Sequence, residues 1–227
     1  MKAKAIATFL VAAIAVTACK PQTAAVAPPA PDCTVPRIAA AYERLPAPQR
    51  PADVPPRPSL LSTPELTDQE AASIGDCMRP RLVALANASG DLRLKGSGEW
   101  RSFSSQFYSS EHGRYLEVAG NAAAAGFFEF EDGAPLPVGA VVTKRSYRVL
   151  QSGAVVIDPQ FVIERMPKGY DERVGDWKFT LIAPNGAIVG ESRGRDGDKV
   201  EFCVECHKSA WRQDFLFFIP PPYRAKG

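Results

Sequence analysis

Near the C-terminus the chain reads Cys203-Val204-Glu205-Cys206-His207, two thiols three residues apart with an imidazole directly after the second. On a helical turn, positions three apart share a face. Both thiols can then reach the two vinyl groups of one porphyrin, while the adjacent histidine offers a ring nitrogen to the iron. This is the spacing for attachment of one covalent c-type haem, with Cys203 and Cys206 as the linking residues and His207 as the iron ligand. Two other chemistries use paired cysteines. A redox dithiol of the thioredoxin kind opens a helix after a buried strand in a βαβ unit, whereas this motif ends a β-rich stretch. A zinc site needs four ligands around a tetrahedron, and the adjacent Cys206 and His207 are poorly placed to serve one ion together.

The opposite face of such a haem decides what the iron does. A protein ligand there makes a six-coordinate electron carrier, and an open position makes a site for small molecules. Strong ligands are scarce. The only other histidine is His112, in Ser110-Glu111-His112-Gly113, and beyond the initiator the methionines are Met78 and Met166. His112 can be an axial ligand, a distal hydrogen-bond donor or a structural loop residue. Met166 precedes Pro167 in a turn-like stretch. Lys144 sits on a predicted strand and shares a face with Val142 and Ser146, so it is either an exposed lysine or a buried one with a task. Glu111, Glu164 and Asp171 are candidate proton acceptors for any reaction that releases protons. The segment Phe215-Leu216-Phe217-Phe218 supplies apolar wall for a porphyrin, or simply core.

The elements that must position these residues follow from composition and pattern. The chain has 227 residues, 45% apolar and 23% charged, which fits one globular domain with appendages and excludes a chain disordered throughout. The formal charge of +2 includes Lys2 and Lys4, so the remainder is neutral and no nucleic-acid partner is indicated. Residues 1–18 combine those lysines with a short apolar run and end Val16-Thr17-Ala18 before Cys19, the form of a lipoprotein signal peptide. Cys19 is expected to become the lipidated N-terminus, placing the protein outside the cytoplasm, facing the periplasm and anchored to the bacterial membrane, the outer one being expected. Export puts the other cysteines in an oxidising compartment, and Cys33 with Cys77 make the pair left for a disulfide.

Residues 19–60 read as a Pro/Ala-rich tether, since 11 of the 21 prolines fall between Pro21 and Pro58 and cannot join a regular ladder. A short helical piece within it is predicted from Ile38 to Leu45. Residues 61–90 form a helical extension that starts near Thr63 or Thr67, where Thr67 and Glu70 have capping-box spacing, with a kink expected at Pro80. Residues 91–227 carry short β-like runs: 115–118, 140–149, 160–163, 177–182 and 187–189. Pro184-Asn185-Gly186 marks a hairpin turn and Asn121 caps a small helix. A last helix is predicted over 202–213. The class is α+β, an antiparallel sheet with a helical extension.

In their order, Trp100, Glu111-His112-Gly113, a strand ending at Asn121, Pro137-Val138-Gly139-Ala140-Val141-Val142-Thr143-Lys144, the Trp177 strand, and a late haem motif followed by Asp214 and phenylalanines resemble the cytochrome P-460 family, which includes the β-type cytochromes c′. The likeness spans about Trp100 to Tyr223. It implies a five-coordinate haem c domain of antiparallel sheet that often forms homodimers. It also implies binding of nitric oxide, or oxidation of hydroxylamine by a haem with an extra lysine cross-link, for which Lys144 is the candidate. Oxidation would pass electrons to a periplasmic electron-transfer partner. The alternative is a six-coordinate electron-transfer cytochrome without substrate chemistry.

Overall fold

The computed structural model of the protein describes residues 33–47, 64–110, 112–129 and 135–226; the signal segment with Cys19, most of the tether, and Glu111 lie outside them. The frame is an eight-stranded antiparallel sheet. Its strands are β1 (Arg101–Ser102), β2 (Tyr108–Ser109), β3 (Tyr115–Gly120), β4 (Val141–Val149), β5 (Val155–Ile157), β6 (Gln160–Arg165), β7 (Trp177–Ile182) and β8 (Ile188–Glu191). The main path runs β1-β3-β4-β6-β7-β8, with β2 joined to β3 and β5 to β4. Three helices complete the fold: α1 (Pro36–Glu43), α2 (Asp68–Ala88) and α3 (Glu201–His207). The chain is α+β.

Side chains alternate across a strand, so the register of the sheet assigns each residue to one of two faces. β4 pairs Val118 of β3 with Lys144 and Lys144 with Phe161 of β6; β6 in turn pairs Ile163 with Phe179 of β7. Leu116, Val118, Val142, Ile163, Trp177 and Phe179 therefore share the front face and pack with Val204, Leu216 and Ile219 from the C-terminal region. The back face carries Tyr115, Tyr147 and Val149 against Ile74, Met78 and Leu82 of α2. Both faces are covered, which is why eight of the nine residues of β4 are buried although the strand is rich in polar side chains.

The N-terminal layer is built as its sequence indicates. Thr67 Oγ1 accepts from the Glu70 amide at 3.2 Å and Glu70 returns a bond to the Thr67 amide at 2.9 Å, so the capping box chooses Thr67 over Thr63 as the start of α2. The helix runs on through Pro80 to Ala88. Arg79, one residue earlier, pairs with Glu117 at 2.9 Å, and Arg145 of β4 meets the same carboxylate at 3.2 Å. Glu117 thus satisfies two guanidinium groups between α2 and the sheet, where burial of an unpaired charge would be costly. α1 docks beside the β4–β5 turn: the Val35 amide donates to the Gly153 carbonyl at 2.9 Å. Gly153 has φ of +82°, and a Cβ there would come within 2.6 Å of the Ala39 amide nitrogen.

Cys33 and Cys77 form a disulfide with Cα atoms 5.8 Å apart, tying the start of the described chain to the middle of α2 across 44 positions. Closing a loop of that length in the unfolded chain corresponds to about 4 kcal/mol in a chain-entropy estimate. The double variant C33S/C77S is expected to unfold about 4 kcal/mol more readily in a denaturant titration at constant m-value, and an unchanged midpoint would contradict that assignment.

Candidate functional site

α3 is a seven-residue helix entered through a 3-10 turn at Gly197–Val200. It is followed by another 3-10 stretch, Lys208–Gln213, with non-helical angles at Ala210. The single helix expected over 202–213 is therefore two pieces. The break lets the chain reverse, so that Phe215 to Ile219 return beneath the motif. Cys203, Val204 and His207 are buried while Cys206 is exposed, and neither Cys203 nor Cys206 is in a disulfide.

A cleft containing about 480 Å3 of space free of protein atoms lies between α3 and the front face of the sheet. Cys203, Cys206, His207 and Phe202 line it from the helix; Lys144, Phe161, Ile163 and Phe179 line it from β4, β6 and β7; His112 stands at its margin. Register explains the sheet contribution. Lys144 and Phe161 are directly opposed, as are Ile163 and Phe179, so a contiguous front-face patch of three strands becomes one wall.

The imidazole of His207 is fixed on several sides. Its Nδ1 lies 2.6 Å from the Phe215 carbonyl. A carbonyl only accepts, so Nδ1 carries the proton and Nε2 keeps its lone pair for another partner. The ring also packs on Phe179 at 4.7 Å and edge-on to Phe217 at 5.0 Å between centroids. Burial first, and then the nearby Lys144 ammonium, push the His207 pKa down to about 4. Burial pushes the Cys203 thiol up to about 12. Lys144 is only 5% exposed, with its Nζ 6.0 Å from the centre of the Phe217 ring. The choice between an exposed and a buried Lys144 thus falls on the buried one.

His112 stacks on Phe161 at 4.5 Å with 16° between planes. Arg114 Nε donates to the His112 carbonyl at 3.1 Å, and the Arg114 guanidinium lies over the same Phe161 ring. Burial, then Lys144, Arg114 and His207, lower the His112 pKa to about 3. Its imidazole is neutral at pH 7, with one donor and one acceptor nitrogen.

Other candidates lie elsewhere. Glu164 points to the back face, where Arg93 binds it at 2.5 Å; it is offset by one residue from Ile163, which sends it away from the cleft. Asp171 caps a 3-10 turn and is held by Arg173 at 2.8 Å and Arg193 at 3.2 Å. Both are structural ion pairs. Met78 is fully buried against the back face, and the Met166 amide is bonded to Asp176 in a turn. Neither methionine lines the cleft. Sequence reasoning did not single out Phe161, Phe179 or Phe202; the first two were legible only through strand register.

Two free thiols one helical turn apart, a neutral imidazole with one nitrogen committed and an aromatic wall fit the chemistry of a haem pocket. No group of three or more His, Cys, Asp and Glu arranged for a metal ion occurs among the described residues. The site and fold therefore define a haem protein built on an antiparallel sheet. The family model Cytochrome P460 matches residues 95–218, more than half of the chain, and the protein belongs to the cytochrome P460 family of haem-binding cytochromes. A search of curated proteins gives no significant match.

The contrast between the two thiols is testable in reduced, haem-free protein. Iodoacetamide near pH 7 is expected to label Cys206 and leave Cys203 unmodified until unfolding, as read by peptide mass spectrometry. Equal labelling of both in the folded state would contradict the burial of Cys203.

Proposed function

We propose that the protein is an exported lipoprotein cytochrome with one covalent haem c, held through Cys203 and Cys206, with His207 as proximal ligand and the other axial position open to small nitrogen species. The observation that carries this reading is the placement of both thiols and the carbonyl-tied His207 in one aromatic cleft. When bound there, the haem supplies an iron centre for ligand binding and electron transfer. The chain's own residues do the rest. The Nδ1–H of His207 holds the ring orientation and raises the donor strength of Nε2. Phe161, Ile163 and Phe179 exclude water from the wall. His112 can offer a hydrogen bond to a bound ligand or accept a proton from one such as hydroxylamine, while Lys144 places positive charge beside the same space.

The open position is favoured over a six-coordinate carrier because His112 is engaged face to face with Phe161 and its loop is held through Arg114. The second reading, ligation by His112 in an electron-transfer cytochrome, draws on its presence at the same cleft. Oxidation of hydroxylamine would require a periplasmic electron acceptor, and the family resemblance implies Lys144 as the residue for a haem cross-link. The buried position of Lys144 on the wall supports testing it first. The leader with Cys19 and the Cys33–Cys77 disulfide together support export to an oxidising compartment. A homodimer is part of the same proposal.

Optical spectra of the ferrous protein with and without nitric oxide test this function. A high-spin ferrous spectrum that changes on adding the gas is expected; a sharp low-spin spectrum unchanged by it would establish the six-coordinate reading. A ferrous band shifted strongly to the red that returns to ordinary haem c in K144R would assign the cross-link. C206A is expected to retain at most one thioether by the pyridine haemochrome spectrum, and C19A to release the protein from the membrane fraction.

A further inference from the structure

His207 depends on a carbonyl that comes from an unusual piece of backbone. Asp214 and Phe215 have φ of +53° and +60°, two consecutive non-glycine residues in the left-handed region. L side chains disfavour that conformation, so the surroundings must impose it. Three contacts on Asp214 do so. Its Oδ1 accepts from Arg165 Nη1 at 2.7 Å, its Oδ2 accepts from the Leu136 amide at 3.3 Å, and its carbonyl accepts from the Trp177 indole at 2.8 Å. Arg165 and Trp177 are register partners on β6 and β7, and the guanidinium lies 5.3 Å over the indole ring. The turn is therefore anchored to the rigid centre of the sheet. Gly175 leaves room for it, because a Cβ there would sit 2.7 Å from the Phe215 ring.

We infer that Asp214, clamped by Arg165 and Trp177, is a positioning residue that sets the strength of the His207 Nδ1–H···O=C bond through the Phe215 carbonyl, and thereby tunes the iron. This rests on His207 being the proximal ligand. A strong bond at Nδ1 gives the imidazole more anionic character and favours ferric iron; a loosened turn weakens the bond and favours ferrous iron. Asp214 touches neither haem nor substrate in this scheme. Its effect passes through one peptide group.

D214G is the informative variant, because glycine tolerates the left-handed angle and keeps the backbone while removing the carboxylate clamp. R165M removes the same clamp from the sheet side, and D214N retains an oxygen able to accept from Arg165. The readouts are the ferrous iron–histidine stretch by resonance Raman and the midpoint potential of the holoprotein, with haem content and thermal midpoint as controls. With haem fully attached, D214G and R165M are each expected to lower the stretch frequency. They should also shift the ferric/ferrous equilibrium about tenfold towards ferrous, which is about 59 mV for one electron. D214N should lie nearer the parent, and the double variant should shift no further than either single one, since both act on one contact. If the parent shows the iron–histidine band and D214G and R165M leave it and the potential unchanged, the clamp proposal is overturned while the ligand assignment stands. If the parent lacks that band in the high-spin ferrous state, the ligand assignment fails and the clamp proposal fails with it.

Discussion

A strand covered on both faces must send consecutive side chains into different layers, and the organisation of this protein follows from that constraint on β4. Lys144 faces the cleft; Arg145 faces α2. One residue of slip would exchange them, placing Arg145 in the haem cleft and Lys144 beside Glu117 and Arg79. The pairing of Glu117 with Arg145 across β3 and β4 opposes that exchange, because the carboxylate is matched to a guanidinium already engaged with α2 and with the Ser97 carbonyl. The register of the back layer thus fixes the contents of the front one.

The two layers handle charge differently. Behind the sheet, buried cations are neutralised by carboxylates: Glu117 with Arg79 and Arg145, Glu164 and Asp91 with Arg93. In front, the Lys144 ammonium stands among aromatic rings and two histidines, and together with burial it keeps both imidazoles neutral. A neutral imidazole is the form that can ligate iron or exchange a proton with a bound molecule. A carboxylate in that layer would raise the histidine pKa values and favour the protonated rings.

The local signals were readable because each is short-range. The capping box at Thr67, the Asn121 cap that accepts from the Ala124 amide at 3.1 Å, and the Gly186 turn between β7 and β8 all need only neighbours in sequence. The motif at Cys203 to His207 is equally local. What escaped reading depends on pairing between distant strands. Phe161 and Phe179 look like any core phenylalanine until Phe161 is set opposite Lys144 and Phe179 opposite Ile163. Glu164 was a plausible proton acceptor until its position next to Ile163 assigned it to the back face. Continuing α3 to residue 213 failed at Ala210, where the need to bring Phe215 back under His207 outweighs helix propensity.

That return of the chain explains why the haem motif can lie so close to the C-terminus. A seven-residue helix has too few internal bonds to hold an imidazole in one orientation by itself. Its last residue borrows rigidity from the sheet, by way of the Phe215 carbonyl, Asp214, and the Arg165–Trp177 pair. The wall opposite the helix comes from the same strands, β6 and β7. The distance between ligand and wall is therefore governed by one rigid unit, and movement of the short helix alone cannot open or close the cleft without breaking the bond at Nδ1.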